Sequence, residues 1–350
     1  MHKKKIGVVF GGMSTEHGVS VVSGTSVIKN LNKEKYEIIP IYINEKGDWF
    51  NYTKPVEKIE ILSVGEKIEE LEKIENPIEV LKKIDIVFPV LHGLYGEDGT
   101  LQGLLELLNK KYVGCKVLAS CVCMDKAYTK VILDKANICQ AKYIYVKKYN
   151  DKYIYVDQEF NEKICEKEEL ANIVEGNLKF PVFIKPSNSG SSVGINKSHN
   201  KEELKEHIEY ASKFDEKILI EQNINGREVE CAVLGNQDVK ASCVGEILPA
   251  EEFYTFDAKY KNAESRVVIP ADLPNEVQEN IRKTAIKAFK AVDGKGLSRV
   301  DFFVENGTEK IFLNEINTLP GFTQISMYPK LWEQEGLSYT ELLDELINLA

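Results

Sequence analysis

No two of the seven cysteines stand as Cys-x-x-Cys, and Cys121-Val122-Cys123 has the wrong spacing for a zinc knuckle. An odd, scattered set of thiols argues against a disulfide framework and for reduced thiols in a cytosolic protein. No apolar run approaches transmembrane length. The run after Met1-His2-Lys3-Lys4-Lys5 ends at Gly11-Gly12, too soon for a signal-peptide core. A basic excess is also missing. With 45 Lys and Arg against 55 Asp and Glu, the net charge is −10, which argues against a nucleic-acid surface but allows a local basic pocket. Two nucleotide signatures are absent as well. The glycines after the first apolar run do not form G-x-G-x-x-G, and the small-residue loop at 186–194 is not G-x-x-x-x-G-K-S/T.

What is present is a soluble globular composition, 43% hydrophobic and 29% charged, over 350 residues. That length suggests two or three domains. Residues 5–10 read as a buried parallel strand, followed by a glycine turn and a helix to about Leu31, capped by Ser14 or Thr15. This is the start of a βαβ unit. Glu16 beside that helix start is either a first-turn dipole residue or a ligand contact. Residues 37–43 read as a second strand, 64–83 as a solvated Glu/Lys helix, and 84–90 as another buried strand. His92, Gly93, Gly96, Glu97 and Gly99 follow that strand, at the carboxyl end where open α/β sheets bind ligands.

Alternation of strand and helix gives way near residue 120. Tyr143-Ile144-Tyr145-Val146 and Tyr153-Ile154-Tyr155-Val156 form one hairpin. The loop at 186–194 follows Lys185 and is either a phosphate cradle or a plain loop tip. Residues 246–269 lack periodicity and carry several aromatics, the pattern of a functional lid.

The most informative stretch runs from Arg299 to Thr323. Two apolar runs flank Asn306-Gly307, a strong hairpin signal. A three-residue turn over 305–307 would put Asp301 on one face with Glu315 and Asn317; a two-residue turn would separate them. Two carboxylates and an amide oxygen on one face are either solvated or hold a hard cation such as magnesium.

Taken together, GGMSTEHGVS, HGLYGEDGTLQG, CMDK, FIKPSNSGSSVG, LIEQNINGREVECAVLG, FYTFDAKY, GLSRVDFF and NEINTLPGFT resemble the D-alanine–D-alanine ligases of the ATP-grasp superfamily. They stand in that family's order and cover the chain from about residue 5 to 345. The resemblance implies a mixed α/β and α+β fold of three domains. An N-terminal parallel-sheet α/β domain (1–121) would precede two ATP-grasp subdomains (122–215 and 216–350). It also implies the activity: ATP-dependent joining of two D-alanines for peptidoglycan precursor synthesis in the cytoplasm. The cofactors implied are ATP and two magnesium or manganese ions. The partners are small molecules, with no nucleic acid or membrane, and a homodimer is left open.

Carried over by position, Lys126, Lys185, Glu221, Glu228 and Lys259 resemble nucleotide contacts, and Asp301, Glu315 and Asn317 the metal ligands. Glu16 resembles the holder of the first D-alanine's ammonium, and Ser191 and Tyr260 the pair that locks flap and lid. Arg299 and the amides around Gly321 resemble the oxyanion site, while His92, Ser326 and Met327 fall on the substrate side. Gln222 stands where many relatives have lysine. Ligases that accept D-serine or D-lactate are the nearest alternatives. Lys259-Tyr260 and the apolar Met327 favour D-alanine as the second substrate.

Overall fold

The structure is a computed structural model and describes residues 3–248 and 266–350. Three sheets follow one another along the chain, each built from consecutive strands.

The first sheet contains β1 (Lys4–Gly11), β2 (Tyr36–Ile43), β3 (Trp49–Tyr52), β4 (Leu71–Lys73), β5 (Ile86–Val90) and β6 (Lys111–Tyr112), in the order β4-β3-β2-β1-β5-β6. Strands β2, β1, β5 and β6 are parallel, which accounts for the continuous apolar runs of β1 and β5. Strands β3 and β4 extend one edge antiparallel. Helices α1 (His17–Asn30), α2 (Pro77–Lys82) and α3 (Thr100–Leu107) belong to this unit.

Two local expectations are corrected here. Residues 64–83 are not one helix, because β4 takes Leu71–Lys73 and helix begins only where the Asn76 side chain accepts from Ile78 N–H with Pro77 in the first turn. Helix α1 is not capped by Ser14 or Thr15 either. Its N-cap is Glu16, and Ser14 Oγ instead accepts from Glu16 N–H at 3.1 Å and donates to the His92 carbonyl at 2.6 Å. That hydroxyl ties the α1 turn to the loop after β5.

Helices α4 (Val117–Met124) and α5 (Lys126–Lys135) lead into an antiparallel second sheet. It comprises β7 (Tyr143–Tyr149), β8 (Lys152–Val156), β9 (Glu162–Cys165), β10 (Val182–Pro186), β11 (Asn196–Ser198) and β12 (Lys217–Gln222), ordered β11-β10-β12-β7-β8-β9. Helices α6 (Lys167–Leu178) and α7 (Lys201–Ala211) cover it. Strand β12 lies between β10 and β7, so this unit runs to Gln222, past the 215/216 division expected from sequence.

The third sheet is also antiparallel: β13 (Gly226–Leu234), β14 (Lys240–Leu248), β15 (Arg266–Val268), β16 (Leu297–Glu305) and β17 (Ile311–Asn317), in the order β15-β14-β13-β16-β17. Helices α8 (Asn275–Ala291), α9 (Met327–Gln334) and α10 (Tyr339–Leu349) complete it, the last opened by the expected Ser338/Glu341 capping box.

The first and third sheets share one core. Ile6, Phe10 and Val27 lie in the same apolar cluster as Leu234, Tyr328 and Leu346. Polar fasteners follow the same seam. Tyr339 Oη donates to the Phe322 carbonyl at 2.5 Å and lies 3.2 Å from Ser26 Oγ, while Thr340 Oγ1 donates to the Asn30 carbonyl at 3.0 Å. The other face of the third sheet packs on α8, α4 and α5. The second sheet buries a separate cluster of its own, around Val146, Leu170, Ile184 and Leu204.

Candidate active site

Strands β16 and β17 bring the polar residues of their hairpin to one face. Asp301 stands opposite Glu315, and Arg299 opposite Asn317. The face is the expected one, but the cause is not. Val304 pairs with Ile311 and Glu305 N–H donates to the Lys310 carbonyl at 2.9 Å, so the turn is even-numbered, with Gly307 at φ 80°. Alone, that turn would set Asp301 against Asn314. A β-bulge restores the parity: Phe302 opposes Leu313, Asp301 opposes Glu315, and Asn314 is the extra residue. Leu313 N–H donates to the Cys139 carbonyl at 2.9 Å, pinning the strand beside the bulge.

Arg299 lies between two carboxylates. Its Nε is 2.8 Å from Asp301 Oδ1 and 2.9 Å from Glu230 Oε2, and its Nη2 is 2.7 Å from Asp301 Oδ2. Burial works against the guanidinium's charge, but Asp301 and Glu230 outweigh it and hold the group protonated. Asn317 Nδ2 donates to Asp301 Oδ2 at 3.0 Å. Asp301, Glu315 and Asn317 therefore offer hard oxygen donors from paired positions, the type magnesium takes. Among the described residues no three His, Cys, Asp or Glu side chains converge as ligands. An ion on this face would complete its shell from Asn317, water and phosphate oxygens.

The second unit supplies cations. Asp125 caps α5, accepting from Tyr128 N–H at 3.2 Å and Ser187 Oγ at 2.7 Å, and is ion-paired with Lys217. This fixes Lys126 at the first position of α5, with Nζ 2.5 Å from the Ser189 carbonyl and 3.9 Å from Glu315 Oε2. Lys185 on β10 is ion-paired with Glu221 and donates to Asn314 Oδ1 at 3.3 Å. The bulge thus also places Asn314 against the lysine. Glu221 has a second cation, Lys130, at 2.6 Å. Burial pushes the Glu221 carboxyl up, but Lys130 and Lys185 overcome it and hold the carboxyl at about 2. Burial pulls Lys185 down, and Glu221, with Glu315 and Glu228 adding to the field, keeps it above its ordinary value.

The first unit closes the third side. Glu16 is buried at the α1 N-terminus and accepts a hydrogen bond from Ser191 Oγ of the 186–194 loop. Two glycines approach this carboxylate: a Cβ on Gly93 (φ 73°) or on Gly190 would lie 2.5 Å from Glu16 Oε2 and push it aside. Ser191 and Ser192 hold left-handed backbone at φ 48° and 61°, unusual for residues with a Cβ. His92 is buried, with Nδ1 3.0 Å from the Leu319 carbonyl and Nε2 3.0 Å from Ser23 Oγ, which also accepts from Phe322 N–H at 3.3 Å. The imidazole therefore braces the 318–323 turn from below. Burial pulls its pKa down, but Glu97 outweighs that and leaves it above its ordinary value.

These faces enclose a cleft of about 500 Å³, with Glu16 and His92 from the first unit, Lys185 and Ser191 from the second, and Arg299 and Glu315 from the third. Glu228 and Gly321 line it too. Ser326 and Met327 do not. They begin α9 behind the 318–323 turn, where Ser326 Oγ accepts from Thr323 N–H at 3.0 Å. Met327 is packed into the shared core, so close to Gly245 that a Cβ there would lie 2.6 Å from its sulfur. Lys259 and Tyr260 lie outside the described residues. Lys130, Glu230 and Ser23 are contacts that no sequence motif singled out for a role.

Comparison with known proteins agrees with this architecture. The model of the D-ala D-ala ligase N-terminus matches residues 5–115, and that of the C-terminus residues 132–348. A D-alanine–D-alanine ligase of Clostridium acetobutylicum is 52% identical over 351 residues, covering 99% of this chain and 98% of its own. A solved D-Ala:D-Ser ligase from Enterococcus faecalis superposes with TM-score 0.85 at 38% identity over 99% of both chains. The D-alanine–D-alanine ligase from Bacillus anthracis complexed with ATP gives TM-score 0.75 at 32% identity, covering 99% of this chain and 97% of its own. With both halves matched and half of all positions identical to such an enzyme, the chain belongs to the D-alanine–D-alanine ligase family.

Proposed function

We propose that this chain is an ATP-dependent ligase joining two D-alanines into D-alanyl-D-alanine, a cytoplasmic step in peptidoglycan precursor synthesis. The carrying observation is the shared cleft, in which the Arg299 and Glu315 face of β16 and β17 confronts Lys126 and Lys185 of the second unit. The carboxylate of one D-alanine attacks the γ-phosphate of ATP, forming an acyl phosphate and releasing ADP. The amine of the second D-alanine then attacks the acyl carbon and expels phosphate.

Lys126 and Lys185 meet the phosphates as point charges, while Glu221 and Glu228 face the adenine–ribose side. Glu16 holds the ammonium of the first D-alanine. Ser191 and Tyr260 are the pair assigned to keeping water from the acyl phosphate, and Lys259 joins the nucleotide contacts. Arg299 and the amides near Gly321 stabilise the oxyanion of the second step. His92 positions the substrate side by bracing the 318–323 turn, and Ser326 and Met327 act on the second amino acid only through that turn. Asp301, Glu315 and Asn317 would hold magnesium, which when bound would neutralise charge on the transferring phosphoryl group.

The test is phosphate release from ATP with a panel of D-amino acids, with the dipeptide identified. With equal D-alanine and D-serine, D-alanyl-D-alanine is expected to predominate by about tenfold, a preference suggested by the 52% identity to a D-alanine–D-alanine ligase. Predominant D-alanyl-D-serine would change the second substrate. Absence of phosphate release with every pair would remove the ligase assignment.

A further inference from the structure

Lys130 lies one helical turn beyond Lys126 on α5, yet it does not share that residue's exposure to the cleft. Its side chain is 3% exposed and its Nζ is 2.6 Å from Glu221 Oε1. Lys185 holds the other oxygen of the same carboxylate and does line the cleft. One buried anion therefore has two cations, one behind the wall and one in front of it. Lys130 is tethered further by Gln140, whose Oε1 is 3.5 Å away, and lies 5.3 Å from the centre of the Tyr143 ring. Lys185 has an alternative partner within reach, Asn314 Oδ1 at 3.3 Å.

This asymmetry matters for any polyanion entering the cleft. A lysine locked to a buried carboxylate is a poor phosphate ligand, because leaving would strand the anion without a counter-charge. With Lys130 in place, Glu221 keeps one cation and its orientation when Lys185 turns to a phosphate. We propose that Lys130 is a positioning residue for the nucleoside triphosphate: from behind the cleft wall it holds Glu221 fixed and ionised, and so frees Lys185 to engage the phosphates. Of the charges acting on the Glu221 carboxyl, Lys130 has the largest lowering effect. The inference rests on the reading of Glu221 and Lys185 as nucleotide contacts.

The experiment compares the full-length parent, K130M, K130R, E221Q and K130M/E221Q in steady-state assays. K130M is expected to raise KM for ATP about tenfold or more while KM for D-alanine stays within about twofold. K130R should recover most of the loss. In the E221Q background, K130M should add less than about twofold, because its effect acts through that carboxylate. Equal rises in both KM values or an undiminished K130M effect in E221Q would each overturn the proposal. If K130M does not fold, K130M/E221Q against E221Q decides: equal KM for ATP supports it and a further tenfold loss overturns it. If E221Q leaves KM for ATP unchanged, the nucleotide reading itself falls and takes the inference with it. A loss in E221Q with none in K130M removes the inference alone.

Discussion

The second sheet and the body made by the other two are stabilised in different ways. The body is continuous: β1 and α1 bury their apolar face against α9 and α10, and the seam is closed by Tyr339 and Thr340. The second unit has its own core, and across the cleft it touches the body through polar groups such as Ser191 to Glu16 and Lys185 to Asn314. Apolar seams are costly to open, whereas polar groups that line a cleft can exchange a contact with each other for one with a ligand. The contrast teaches that the cleft joins a continuously cored body, which carries Glu16, Arg299 and Glu315, to a separately cored unit, which carries Lys185 and Ser191.

The largest expected effect tests the body's side of the cleft. Glu315→Gln should cut kcat by about a thousandfold or more, with circular dichroism and melting close to those of the parent. Chelation of divalent ions should have the same consequence, and retained turnover in either case would remove the metal face from the mechanism.

Next come truncations in the two cores, each expected to cost about 2–5 kcal/mol. Leu346→Ala should speed amide exchange in β1, β2 and α10 together, since they bury one cluster. Leu204→Ala should speed exchange in β7 to β12 while leaving β1 and β2 protected. Uniform deprotection by Leu204→Ala would show that the second unit does not stand on its own core.

The smallest effects come from pH, and they should run in opposite directions in the two regions. Glu221 titrates at about 2 when folded, below its usual 4.5, so its contribution is present above 4.5 and lost as pH falls toward 2. His92 in the body is held above 6.5, so its contribution is present below 6.5 and lost as pH rises through the higher folded value. Region-resolved exchange should therefore find the second unit loosening first in acid, and the turn at 318–323 loosening on the alkaline side. Glu221→Gln and His92→Gln should each flatten one of these trends. A single common pH dependence would contradict the division.

Much of this was legible in the residues, and the failures have physical causes. What was legible along β16 and β17 was that Glu315 and Asn317 share a face, with Asp301 joining them only if the turn had the right parity. The bulge that restores the parity was not, because it is fixed by a strand-side contact with Cys139, far away in sequence. Lys130 reads as one more lysine on a charged helix. Its burial depends on Glu221, brought alongside by β12. The polar β9 carries no apolar alternation to announce it, and residues 64–83 have a charge spacing that suits a helix even where an edge strand formed. Met327 looked like a pocket wall because it is apolar. The same property takes it into the shared core.

That shared core also bears on how the chain is made. Ser26 and Tyr339, joined across the seam, are 313 residues apart. A ribosome delivers β1 and α1 first, at roughly 5–20 residues per second. For at least about fifteen seconds, then, the apolar side of the first sheet has no α10 to cover it. The second unit, whose strands are consecutive and whose core is its own, can finish folding during that wait. The order of synthesis and the order of completion are therefore different, and the first sheet translated is among the last to be sealed.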